Sequence, residues 1–250
     1  MPLFLSTAAA DAFRRCALAL SAIALNAGAC VASAADSPQL YDEAMRAVVS
    51  PGAEPSPLKT IPTDAKVQVV TWMKFTRRCE GADCPFTAGP ERWWVTLDGE
   101  VQSICRQWGL QGQDLRERMA QLLGLSRAAQ VDYRDSQMIT VRVSRDVLRR
   151  PCLGEAVGND GLLRCSLHPA QDIDPEFMGF VRDQMKLDAT GTKRASGFPF
   201  TGLGFTFDRH PASVSLNHYG ATEFVLRLNT TADLVSMTST DSYCSGAVAR

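Results

Sequence analysis

Histidine is scarce in this chain, and the familiar catalytic signatures are missing. Only three of its 250 residues are histidines, His168, His210 and His218. No HExxH pair, Walker loop, G-x-S-x-G elbow or EF-hand ligand series occurs, which excludes the standard forms of zinc peptidase, P-loop nucleotidase, α/β-hydrolase and calcium sensor. The closest approach to a dinucleotide fingerprint is GLGFTF, Gly202 to Phe207, which lacks a third glycine and runs into DRHP instead of a helix. Neither sign of charge dominates either: 26 basic side chains face 27 acidic ones, a formal net charge of −1. Nucleic acid and anionic membrane surfaces both require a prevailing positive field, so neither is expected as a partner. No internal repeat or low-complexity tract is found, and nothing calls for a cofactor or a metal.

Long apolar runs are also missing, with one exception at the start. MPLFLSTAAADAFRR ends in Arg14 and Arg15, and Cys16 to Ala29 then carry no charge. That uncharged stretch is shorter than the roughly 20 residues a bilayer crossing needs. It is followed by VASAADS, whose Ala32 and Ala34 suit the small pockets of a signal peptidase. The expected leader is therefore 1–34, with cleavage after Ala34 and no transmembrane segment beyond it. A rival cut before Cys30, at a weak lipoprotein-like AGAC, would leave the chain lipid-anchored at Cys30. Loss of Arg14, Arg15 and Asp11 with the leader leaves a small acidic excess. The reading is a periplasmic or secreted protein of bacterial type.

Cysteine is the residue that the rest of the chain does supply. After the leader remain Cys79, Cys84, Cys105, Cys152, Cys165 and Cys244, an even number in a compartment that oxidises thiols. Structural zinc favours paired ligands two to four residues apart, with a second pair or histidines to complete the set, and this chain offers one close pair alone. Redox catalysis favours Cys-x-x-Cys at a helix start, whereas RRCEGADCPF places Glu80, Gly81 and Asp83 in a turn that disfavours thiolate. Three disulfides are expected. Six cysteines allow fifteen pairings; the pairing favoured here is Cys79 with Cys84, Cys152 with Cys165, and Cys105 with Cys244.

Periodicity then divides the chain. Residues 35–65 read as an amphipathic helix with Leu40, Ala44, Ala47 and Val48, then a connector with Pro51, Pro55, Pro57 and Pro62. Residues 66–250 read as a single globular domain. VQVVTWMKF and RWWVTL have the β-branched and aromatic content of strands, and QMITVRVS alternates as a strand should, with Ile139, Val141 and Val143 on its better core face. Between them Asp98 stands as an N-cap before GEVQSICRQWGL, and QDLRERMAQLLG continues the helical spacing to a stop at Gly124. Asp174-Pro175-Glu176 is the sharpest helix start, since the aspartate caps, proline suits the first turn and glutamate complements the dipole. TEFVLRLN, TTAD and LVSMTST read as a closing C-terminal β-hairpin. The fold class is α+β, a mainly antiparallel sheet packed against several helices and stabilised by disulfides.

Function has weaker handles. A serine-type site would use His210 or His218 as base, Asp208 as orienter and Ser213 or Ser215 as nucleophile. Adjacent residues on an extended segment point apart, however, and three loop histidines are the blander account. Trp93 and Trp94 are neighbours on a strand, so they project to opposite faces and one can be spared from the core to stack on a ligand. The expected function is a non-enzymatic binding or interaction module for an envelope protein, peptide or glycan. A periplasmic serine hydrolase with its site near Asp208 to His218 is the alternative. Asp188 to Gly220, rich in glycine and carrying Lys193, Arg194, His210 and His218, is the expected functional surface.

Overall fold

The computed structural model describes residues 57–74, 85–87, 92–125, 133–166, 168–185, 200–211, 213 and 218–246. These belong to a compact unit spanning Ser33–Arg250. The expected leader, the N-terminal helix, Cys79 and Cys84 lie outside the described residues, as do Lys193 and Arg194.

In chain order the elements are β1 (Lys66–Met73), β2 (Pro85–Thr87), β3 (Trp94–Leu97), α1 (Glu100–Arg106), α2 (Gly112–Leu122), β4 (Gln137–Ser144), β5 (Leu148–Arg149), β6 (Gly154–Val157), β7 (Leu163–Ser166), α3 (Pro175–Met185), β8 (Phe205–Phe207), β9 (Tyr219–Thr222), β10 (Phe224–Leu226), β11 (Thr231–Ser239) and α4 (Thr240–Ser245). Seven strands form one sheet in the order β2-β11-β4-β1-β3-β10-β5, and every pairing in it is antiparallel. β6–β7 and β8–β9 are separate two-stranded ladders. The α+β class with an antiparallel sheet and several helices is what the pattern required.

β4 lies at the heart of the sheet, registered along its whole length with β1 from Lys66↔Ser144 to Met73↔Gln137. Burial on both faces follows. Ile139, Val141 and Val143 pack with Val67, Val69, Val95 and Phe224, while Met138 joins Val70 and Trp72 on the opposite face. That opposite face carries the helices: Val101 and Cys105 of α1, Leu115 and Met119 of α2, and Tyr243 and Cys244 of α4 all enter the same cluster. Each such side chain, fully buried, contributes about 1.5 to 3 kcal/mol. A third cluster seats Phe177 and Val181 of α3 against Val225 and Trp94.

Two of the expected bridges are present. Cys105 joins Cys244 with Cα atoms 5.3 Å apart, fastening α4 to α1, and Cys152 joins Cys165 with Cα atoms 5.9 Å apart across the base of the β6–β7 ladder.

Local expectations fared unevenly. Asp174 caps α3 as read, its Oδ1 accepting the Glu176 amide at 2.9 Å. Asp98 does not cap α1; the cap position is Gly99, at φ 81°, and the first turn receives no side-chain acceptor. The closing hairpin is also corrected. A hairpin does occur late in the chain, but it is β8–β9. The strands read as its arms, β10 and β11, are separated in the sheet by β3, β1 and β4. Length explains the exchange: β11, nine residues long, matches the eight of β4, whereas the three residues of β10 are buried throughout and fit between β3 and β5.

Candidate functional site

Asp208 closes β8, and its carboxylate is fully engaged. Arg118 of α2 donates to both oxygens, at 2.8 and 2.7 Å, and the His210 amide donates to Oδ1 at 3.0 Å. Both charged side chains are buried, and the Arg118 guanidinium lies 4.4 Å over the Trp108 ring. His218 contacts the main chain of Asp208 instead of its carboxylate: Nδ1 lies 3.0 Å from the carbonyl oxygen, so Nδ1 carries the proton and donates. Its ring stacks on Phe207, with centroids 5.3 Å apart. His210 is buried, and burial, aided by Arg118, holds its imidazole below the ordinary histidine range against the pull of Asp208. Ser213 is half-buried and its amide donates to the His210 carbonyl at 2.9 Å, while Ser215 lies outside the described residues. The structure thus gathers Asp208, His210 and His218, but around a buried ion pair that joins α2 to the β8–β9 ladder. His168 is exposed and stands elsewhere, after β7.

The tryptophans lead to a different place. As the alternation required, Trp93 and Trp94 part: Trp93 packs with the Val95 and Phe224 cluster, and Trp94 packs toward α3, 5.8 Å from Phe180 and 5.7 Å from Phe200. Both line one cavity of about 380 Å³. Its origin lies in the sheet. The registered pairs of β1 and β3 end at Val70↔Thr96, and the residues past that point, Thr71 to Met73 and Arg92 to Val95, line the opening. The helix-side wall is apolar, with Trp72, Val101, Leu123, Leu125 and Met138, and Tyr133 lies stacked on Trp72 at 4.5 Å.

Against this wall stands one acid, Glu223. It is the single residue between β9 and β10, where the chain leaves the β8–β9 ladder for the main sheet, and its amide donates to the Gly204 carbonyl at 2.9 Å. The residue is 8% exposed and its Oε2 is buried without a hydrogen-bond partner among the described residues. Desolvation favours the neutral acid and lifts the carboxyl to about 8. Sequence reading passed over Glu223 because it sits in TEFVLRLN at alternating positions with Val225 and Arg227, which reads as a solvent face. The signal available was Val225 itself, an apolar residue on that same face; it is wholly buried beneath Phe177 and Val181.

A second cavity, of about 540 Å³, opens near the start of α3. Its lining carries both signs of charge, Arg149, Arg150 and Arg227 beside Glu155, Asp172 and Asp174, and Arg150 Nε lies 3.3 Å from Glu155. Among the described residues no cluster of three or more histidine, cysteine, aspartate or glutamate side chains could hold a metal ion, and no helix is long and apolar enough to cross a membrane. No protein-family model, curated protein or solved structure matches this chain.

Proposed function

We propose that the protein is an exported binding module that captures a small, largely apolar molecule in the cavity between Trp72, Trp94 and Glu223. One observation carries the reading: a buried carboxyl borders a mostly apolar cavity, and its Oε2 has no hydrogen-bond partner among the described residues. Burying a polar group without a hydrogen bond costs roughly 1 to 3 kcal/mol, and a fold keeps such a group where a ligand completes it. Concave, mostly apolar sites with a few convergent polar atoms are the usual form of small-molecule pockets, commonly 300 to 1,000 Å³ or about that range. Tryptophan walls add a large contact area with few rotatable bonds. Export is supported by the two disulfides, which persist in oxidising compartments.

Intrinsic tryptophan fluorescence provides the test, because Trp72, Trp93 and Trp94 all border the cavity. A library of small aromatic compounds is expected to contain members that change the emission of the native chain and leave a Leu125→Trp variant, whose cavity is filled, unresponsive. A fluorophosphonate that labels the native chain but not Ser213→Ala or Ser215→Ala would overturn the proposal in favour of a serine hydrolase.

A further inference from the structure

We infer that the cavity takes a small organic cation, an ammonium group on an apolar body, with the Glu223 carboxylate as its counter-charge and the surrounding aromatic rings as its walls. This rests on the cavity being a binding site, and it adds the chemical class of the ligand.

The charge balance around the cavity points that way. Arg92, which lines the opening beside β3, is committed to Glu176 at 2.6 Å and lies over the Phe177 and Phe180 rings. On α1, Glu100 accepts from Lys59 at 2.6 Å and from the amide and hydroxyl of Thr222, both at 3.1 Å. Arg150, at the β5 edge, lies over the Phe224 ring and 3.3 Å from Glu155. At the end of β8, Arg118 and Asp208 satisfy each other, and Tyr133 is stacked on Trp72. Among the described residues that line the cavity the charged ones are Arg92 and Glu223; with Arg92 paired to Glu176, the charge left there is that of Glu223, and it is negative when ionised.

The walls select in the same sense. An aromatic face is electronegative and draws a cation lying within about 6 Å of its centroid, tryptophan most strongly, by roughly 0.5 to 2 kcal/mol. Trp72, Trp94 and Tyr133 border the cavity that Glu223 enters. The same faces repel a carboxylate or phosphate, and so does Glu223. A neutral ligand would meet the carboxyl differently, by accepting a hydrogen bond from its protonated form.

That difference has a thermodynamic signature. In the empty protein burial keeps Glu223 protonated up to about pH 8. Entry of a quaternary ammonium ion leaves the carboxylate ionised beside it, and the acid's proton passes to solvent. Affinity for a cation therefore climbs about tenfold per pH unit below pH 8 and levels off above it. Affinity for a neutral acceptor is level below pH 8 and falls above it.

The experiment titrates the full chain with benzyltrimethylammonium and with its uncharged carbon isostere, neopentylbenzene, from pH 6 to pH 9. The expected result is that the ammonium binds about a hundredfold more tightly at pH 9 than at pH 6, releases about one proton per site at pH 6 when heats are compared between two buffers, and outbinds the isostere. Glu223→Gln should remove the pH slope and weaken the ammonium at least about tenfold at pH 9; a far-ultraviolet circular dichroism spectrum and urea midpoint at pH 6 like those of the native chain, where the native acid is neutral too, show that the variant is folded. Binding of the isostere as tightly as the ammonium at every pH would overturn the cation assignment and leave the cavity as a site. If neither compound perturbs tryptophan emission in the native chain and Leu125→Trp behaves identically, the site falls and the assignment with it.

Discussion

The Arg118 guanidinium and the Asp208 carboxylate meet through two parallel hydrogen bonds, 2.8 and 2.7 Å long, with both side chains buried. This bidentate pair ties α2 to the end of β8, and its neighbours reinforce the joint: Arg209 donates to the Ala120 carbonyl at 3.1 Å and Thr206 Oγ1 donates to that of Leu122 at 2.6 Å. Removing one partner of a buried pair strands the other charge, which costs about 3 to 5 kcal/mol. Asp208→Ala should therefore lower the urea midpoint sharply. Replacing both residues by leucine should cost much less than the two single changes together. A small effect of Asp208→Ala on the midpoint would mean that the pair is open to solvent.

Gly220 makes a related prediction on the other arm of the β8–β9 ladder. A Cβ added there would run into the Leu122 carbonyl and Thr206 Oγ1, and the first is backbone that cannot rotate away. Thr206 Oγ1 also accepts the Ala221 amide at 2.9 Å, so its displacement breaks a second contact. Overpacking of this kind costs about 1 to 3 kcal/mol. Gly220→Ala is expected to lower the melting temperature. A Gly99→Ala change, where nothing stands within 4 Å, carries only the penalty of its positive φ and should cost less.

The two bridges differ in what they constrain. Cys105 and Cys244 are 139 residues apart in sequence, Cys152 and Cys165 only 13. Closing a longer loop removes more freedom from the unfolded chain, about 5 kcal/mol against about 3 kcal/mol in the chain-entropy account. Cys105→Ala with Cys244→Ala should thus destabilise more than Cys152→Ala with Cys165→Ala, as read from urea midpoints. Equal losses would place the stabilisation in native packing instead.

These features were not equally legible. The strands around Val67, Val95 and Ile139 and the start of α3 could be read directly, because their periodicity and the Asp174 cap are local properties. The Cys105–Cys244 bridge was reachable because Cys105 shares a helical face with Val101 and so had to point inward. Strand order was not reachable: TTAD invites a tight turn between β10 and β11, yet the choice between neighbours is decided by which long strand needs a long partner, a property of the whole sheet. Glu223 was hidden for the same reason. Its alternation with Arg227 marks an exposed face, and only the docking of α3 over Val225 reverses that meaning. Asp208 was opaque for a related reason, since the partner of its carboxylate, Arg118, is remote in sequence.

Glu223 also sets a stability prediction that does not depend on any ligand. Its carboxyl titrates near 4.5 when unfolded and about 8 when buried, so between those values the folded chain holds a proton that the unfolded chain has lost. Stability contributed by this group is therefore greatest at low pH and declines as pH rises, until both states are ionised above pH 8. His210 works in the reverse sense, since its lowered value makes the folded state gain stability as pH rises toward 6.5; above pH 7 it is silent. From pH 7 to pH 9, then, the decline belongs to Glu223 and amounts to about 1 to 2 kcal/mol. Urea midpoints of the native chain should fall across that window, and those of Glu223→Gln should fall by less and exceed the native values at pH 9. An identical slope in the two proteins would show that the carboxyl is solvated and ionises freely, and would remove the physical basis for treating the Trp72 and Trp94 cavity as waiting for a partner.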